Sequence, residues 1–209
     1  SITATDANVT SNSLAMTTET GSVEATGFTA TVADQASIVA GNSVTLDGSK
    51  LGLGALTASA KSGDLSLTSA EIEVSGAAEL TAQQSITAED ASVEAASLAM
   101  TANTGCVEAS RLKTIVADQA SIEADDSVTL ANAVLTAGAL TATAKTGDLS
   151  VRNAEINATK DGITLTAEVA DIDASSATLT AKDEVKLTAK QSITATDANV
   201  TSNSLAMTT

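Results

Sequence analysis

Carboxylates are the only reactive side chains this chain carries in number. Among its 209 residues are 26 Asp and Glu, 10 Lys and Arg, and no His. Without an imidazole there is no Ser-His-Asp relay, no Cys-His pair and no histidine metal site. Paired carboxylates could still hold a hard cation through oxygen. Two pairs have the spacing. Asp171 and Asp173 flank Ile172, so in a strand both point outward from one side. Asp125 and Asp126 are adjacent at an expected bend. These four are the weak Ca²⁺ candidates, and a solvated acidic face is the competing reading. The GGxGxD repeat of calcium rolls is absent.

The other chemistries fall away on residue type. One cysteine, Cys106, allows no disulfide within the chain, and it lacks the soft partners of a metal site. It stands where sister segments carry Ser or Asp and reads as a small-residue substitution. There is no P-loop and no dinucleotide fingerprint; Gly52, Gly54 and Gly63 belong to bends or strands. No cofactor is expected, and no enzymatic activity. A formal charge of −16 argues against nucleic acid, whose phosphates need clustered Lys and Arg. No apolar run approaches the length of a membrane span.

The elements that place these side chains come from a repeat. Ser1 to Thr18 reads SITATDANVTSNSLAMTT, and Ser192 to Thr209 is identical. Ser85 to Thr101 is a diverged third copy, at an offset of 84. Each 84-residue block divides into four units of 21, starting at Ser1, Ser22, Ser43, Asp64, Ser85, Cys106, Ser127 and Asp148. The Asp148 unit carries two extra residues, expected at a bend, and units restart at Asp171 and Ser192. The chain therefore reads as one continuous body over 1–209. Its super-repeat is 1–191, nine units long, and its sub-repeats are 1–84 and 85–170.

The second position of every unit is a branched aliphatic: Ile2, Val23, Val44, Leu65, Ile86, Val107, Val128, Leu149, Ile172 and Ile193. The ninth is branched too, except at Ala30 and Thr114. Apolar and polar residues alternate in short runs between breaks such as Asp47-Gly48 and Lys61-Ser62-Gly63, which is the strand signature. About three short strands per unit are expected. Leu14, Leu56, Leu98 and Leu140 mark the third strand in the first, third, fifth and seventh units; in the second, fourth and sixth it shifts by about three residues, to Ile38, Leu80 and Ile122, as it does in the Asp171 unit with Leu187. Helix is excluded by the missing 3.6 period.

A 21-residue unit of three strands is one turn of a parallel β-solenoid. The expected fold is all-β: a single-chain β-helix of nearly ten turns, without capping units at either end. At ~4.8 Å per turn it makes a rod about 45–50 Å long. The second positions then stack into one inner column. No Pro, Trp, Tyr or His and a single Phe suit a narrow aliphatic core.

The runs SGDLSLTSAEIEV (Ser62 to Val74) and TGDLSVRNAEINA (Thr146 to Ala158) resemble repeats of filamentous-haemagglutinin-type adhesins. The resemblance implies large exported bacterial surface proteins and right-handed parallel β-helices. The runs at Ile163 to Val169 and Glu184 to Thr194 also look like phage and type VI secretion spike β-prisms, which are trimers. The resulting expectation is a structural, fibre-forming segment of an extracellular filament or adhesin stalk at the cell surface. Its partner is itself, by end-to-end continuation or tandem array, with lateral bundling as an addition. The alternatives are an adhesin module with ligand contacts on its bends, and a trimeric spike. A Thr face for ice binding is disfavoured, because the third position also takes Glu24, Ser66, Glu108, Ser150 and Asp173.

Overall fold

The computed structural model describes residues 1–209, and every regular element in it is a β-strand. The chain coils into stacked parallel turns of about 21 residues, close to ten of them, a β-solenoid. Each turn begins with a two-residue strand such as Ile2–Thr3, Val23–Glu24 or Val44–Thr45. Ten of these form one parallel sheet in chain order. Its register runs Ile2, Val23, Val44, Leu65, Ile86, Val107, Val128, Leu149, Ile172, Ile193. The second sheet, of 16 strands, takes the rest of each turn.

Period-two alternation builds these elements because each inward side chain meets its equivalent in the next turn. The apolar side chains join one buried cluster of 63 residues running along the axis. One inner column is alanine in eight successive turns: Ala40, Ala60, Ala82, Ala102, Ala124, Ala144, Ala167 and Ala189. All eight are buried, so this part of the core is lined by methyl groups alone. Stability in such a stack is close to a sum over neighbouring turns.

The bend after the first strand has a fixed backbone. The sixth position adopts a left-handed φ in all ten turns: Asp6, Gly27, Gly48, Ser69, Asp90, Arg111, Asn132, Asn153, Ser176 and Asp197. Gly, Asn and Asp tolerate this region best, whereas Arg111 bears the full steric cost of its Cβ.

Two expectations need correction. Three separate strands per turn is too many for several turns: Thr29–Ala40, Lys50–Ala60, Lys113–Ala124 and Val134–Ala144 run unbroken through the second corner. The offset between odd and even turns is one residue, not about three. Leu56 pairs with Ala36 and Ala78, while Ile38 and Leu80 pair with Ala58. The extra residue is absorbed by a register shift between Val32 and Gln35, and again between Val116 and Gln119. The displaced carbonyls of Ala33 and Asp34 press towards Gly54 to within 2.4 Å of where a Cβ would sit. Those of Ala117 and Asp118 do the same to Gly138 within 2.9 Å. Only glycine passes there.

The two extra residues of turn 148–170 lie at this same corner, in the four residues between Glu155–Ala158 and Ile163–Ala167. Lys160 reaches from it across two turns to Asp118, with Nζ 2.7 Å from Oδ1.

Candidate functional surfaces

Three sets of side chains repeat along the rod, and each does one physical task. The first is the inner column of second positions. From Val23 to Ile172 these residues are buried, and Ile2 and Ile193 are half-buried in the first and last turns. The backbone N–H of each but Ile193 donates to the first-position carbonyl of the next turn, as from Val23 to Ser43 at 3.0 Å and from Val128 to Asp148 at 3.0 Å.

The second set is a polar ladder at the turn starts. The first-position N–H lies outside the sheet pairing and needs its own acceptor. In six of the nine steps between turns it finds the first-position side chain one turn earlier. Asp64 N donates to Ser43 Oγ at 3.3 Å, Ser85 N to Asp64 Oδ1 at 2.9 Å, and Cys106 N to Ser85 Oγ at 3.2 Å. Asp171 N and Ser192 N continue it through Asp148 and Asp171. Ser and Asp recur at this position because both offer an oxygen on a short arm. Cys106 offers only a weakly accepting sulfur, and Ser127 N, like Ser43 N and Asp148 N, is not held in this way.

The third set is the outward carboxylates. Asp171 Oδ1 accepts from both N and Oγ of Ser192, at 2.8 and 2.7 Å. Asp173 Oδ1 accepts from Ser175 N at 2.9 Å, and Arg152 Nε lies 3.4 Å from its Oδ2. Hydrogen bonding from the Ser175 side chain, then from its backbone and from the nearby Arg152, holds the Asp173 carboxyl below the usual aspartate range. Asp125 and Asp126 sit in a bend of turn 106–126, where their carbonyls accept from Thr146 and Gly147. The structure thus places Asp173 in the strand Ile172–Asp173 with Asp171 immediately before it, and leaves Asp125 and Asp126 elsewhere. Nowhere do three or more acidic or thiol groups converge on a common point. Asp90 pairs through both oxygens with Arg111, at 2.6 and 2.8 Å, which holds its carboxyl low. These pairs are solvent-exposed, so water and salt screen them and they contribute little.

Some working residues gave no signal when read singly. Ala30 and Thr114, the two breaks in the ninth-position pattern, are matched by bulk two residues earlier: Phe28 and Leu112 are buried where other turns carry Ala or Ser. Each turn keeps its volume by moving it. Ser49, beside Phe28, is buried yet satisfied, donating to Ala25 O at 2.6 Å and accepting from Phe28 N. Thr114 Oγ1 is buried without a partner. Reading the seventh and ninth positions together would have found the exchange. The depressions on the outer faces are shallow, such as the notch over Gly52 lined by Thr31, Lys50, Glu71 and Glu73.

No protein-family model, curated protein or solved structure matches this chain.

Proposed function

We propose that this chain is a structural, fibre-forming segment of an extracellular filament or adhesin stalk at the cell surface, without enzymatic activity. The observation that carries the reading is the unbroken inner column over ten turns, tied by axial hydrogen bonds in every turn. Such a stack resists bending and shear, because any deformation must strain ladders and packed columns together. The acidic exterior, −16 in all, keeps neighbouring rods soluble. The likeness of Ser62 to Val74 and Thr146 to Ala158 to filamentous-haemagglutinin-type repeats supports the same setting. Each chain closes its own core, which favours a single-chain stalk over a three-chain spike. Partnership with further copies along the axis follows from the repeat itself.

Electron microscopy and fibre diffraction of the native material test this. The expected result is a thin fibre with an axial repeat of ~4.8 Å and a superperiod near nine turns, about 43 Å. A discrete 20.6 kDa monomer with no tendency to stack would overturn it.

A further inference from the structure

Five large apolar side chains are exposed: Ile115, Val134, Val169, Leu205 and Met207. Leu205 and Met207 lie in the last turn, and Val169 lies in a bend. Ile115 and Val134 are different. They sit on the outer face of the second sheet, in adjacent turns, 59% and 44% exposed. Val134 lies in register between Lys113 and Glu155, one turn to either side. All three are exposed, and neither Lys113 nor Glu155 belongs to any of the chain's ion pairs.

The same face 84 residues earlier reads Thr29, Lys50, Glu71. There Lys50 and Glu71 are direct neighbours and close on each other at 2.9 Å. Around Val134 the cation and anion are held two turns apart by an apolar residue. A column that reads positive, apolar, negative is complementary to itself when reversed.

We propose that this face docks a second copy of the chain, side by side and antiparallel, on a two-fold axis through Val134. Val134 meets Val134, and each Lys113 faces the partner's Glu155. A two-fold contact is isologous, so one patch supplies both halves. Charge selects this register over its neighbour: an axis midway between the turns of Lys113 and Val134 would set Lys113 against the partner's Val134 and Glu155 against the partner's Ser92, leaving both charges without a partner. The flanking residues of the chosen register, Ser92 opposite Thr178, are neutral. Lateral pairing rests on the fibre reading for its purpose, since it turns single rods into bundles, but it is measurable on the chain alone.

The test is cross-linking of the full chain by a short bis-maleimide, in a Cys106→Ser background, at about 0.15 M salt, where the Debye length of about 8 Å screens overall repulsion. V134C places its thiol on the axis and is expected to give a covalent dimer. S92C lies two turns away on the same column, so its partner thiol stands ~19 Å off, and it is expected to give none. Adding K113E to V134C is expected to abolish the dimer, and adding E155K as well to restore it. Equal cross-linking at both positions, indifference to K113E, or failure of the charge swap to restore the dimer would overturn the proposal. All these positions are exposed, and an unchanged thermal melt checks that each variant folds. Fibres with no V134C dimer would remove side pairing and leave the stalk reading intact; a V134C dimer without fibres would do the reverse.

Discussion

Turns 22–42 and 106–126 lie 84 residues apart and follow one path, with the same strands, the same register and the same shifted corner. Their side chains do not agree. The first carries Ser22, Gly27, Phe28, Ala30 and Thr31; the second carries Cys106, Arg111, Leu112, Thr114 and Ile115. In the earlier turn each residue suits its place: an acceptor-bearing start, a glycine in the left-handed bend, bulk matched to a small neighbour, a polar residue outside. The later turn keeps its bulk, at Leu112, but departs at Cys106, Arg111, Thr114 and Ile115, and it still stacks. The difference shows that the path is set by what both turns share, the inner column and the backbone ladders. The remaining positions adjust stability by increments.

The largest test strikes what is shared. Val107→Asp and Val23→Asp should each disrupt the stack, at a cost of several kcal/mol for an unpaired buried charge, read as a fall in melting temperature. If either melts as the parent does, the column is not the organising element. Next comes the exchange of bulk. Phe28→Ala should cost about 3–4 kcal/mol in denaturant unfolding. Adding Ala30→Ile, which copies the Ala70 and Ile72 arrangement, should recover most of that loss; no recovery would mean that volume is not conserved within a turn. Two gains are expected in the later turn. Thr114→Val removes a buried unpartnered hydroxyl and should stabilise by about 1 kcal/mol. Cys106→Ser returns an acceptor to the polar ladder, with a gain of at most about 1 kcal/mol.

The smallest effect concerns Arg111. Its carboxylate partner, Asp90, has a depressed folded pKa. Its contribution is therefore present above the ordinary aspartate value near 3.9 and is lost as pH falls through the lower folded value. Arg111→Gly relieves the left-handed backbone and removes the pair. Stability near pH 7 should rise slightly or hold, and the share of acid sensitivity due to Asp90 should disappear from the melting profile. A profile unchanged below pH 4 would show that the pair carries nothing.

The period and the solenoid were legible because ten second positions never miss a branched aliphatic. The third-strand offset was misread for a physical reason. In that column Leu14, Leu56, Leu98 and Leu140 face Ala36, Ala78 and Ala120, so matching large residue to large residue put Leu against Ile and tripled the shift. A bulge changes register without changing the composition of its own strand, and its mark is a glycine one turn away, Gly54 or Gly138. The polar ladder was visible as Ser or Asp at each start, but its meaning needed the direction of the first-position N–H. The isolation of Val134 between unpaired charges depended on which turn neighbours which.

The four-residue corner at Thr159 to Gly162 shows that surplus length can be stored at one angular station while the turns above and below stay in phase. From the start of one 18-residue stretch to the start of the other run whole turns only, nine of them, whatever that corner holds. A genetic exchange between those stretches therefore adds or removes complete turns, and the product meets its new neighbour with columns aligned. The protein can change its reach in fixed quanta without inventing a new fold, which makes its length, more than its surface, the property open to rapid variation.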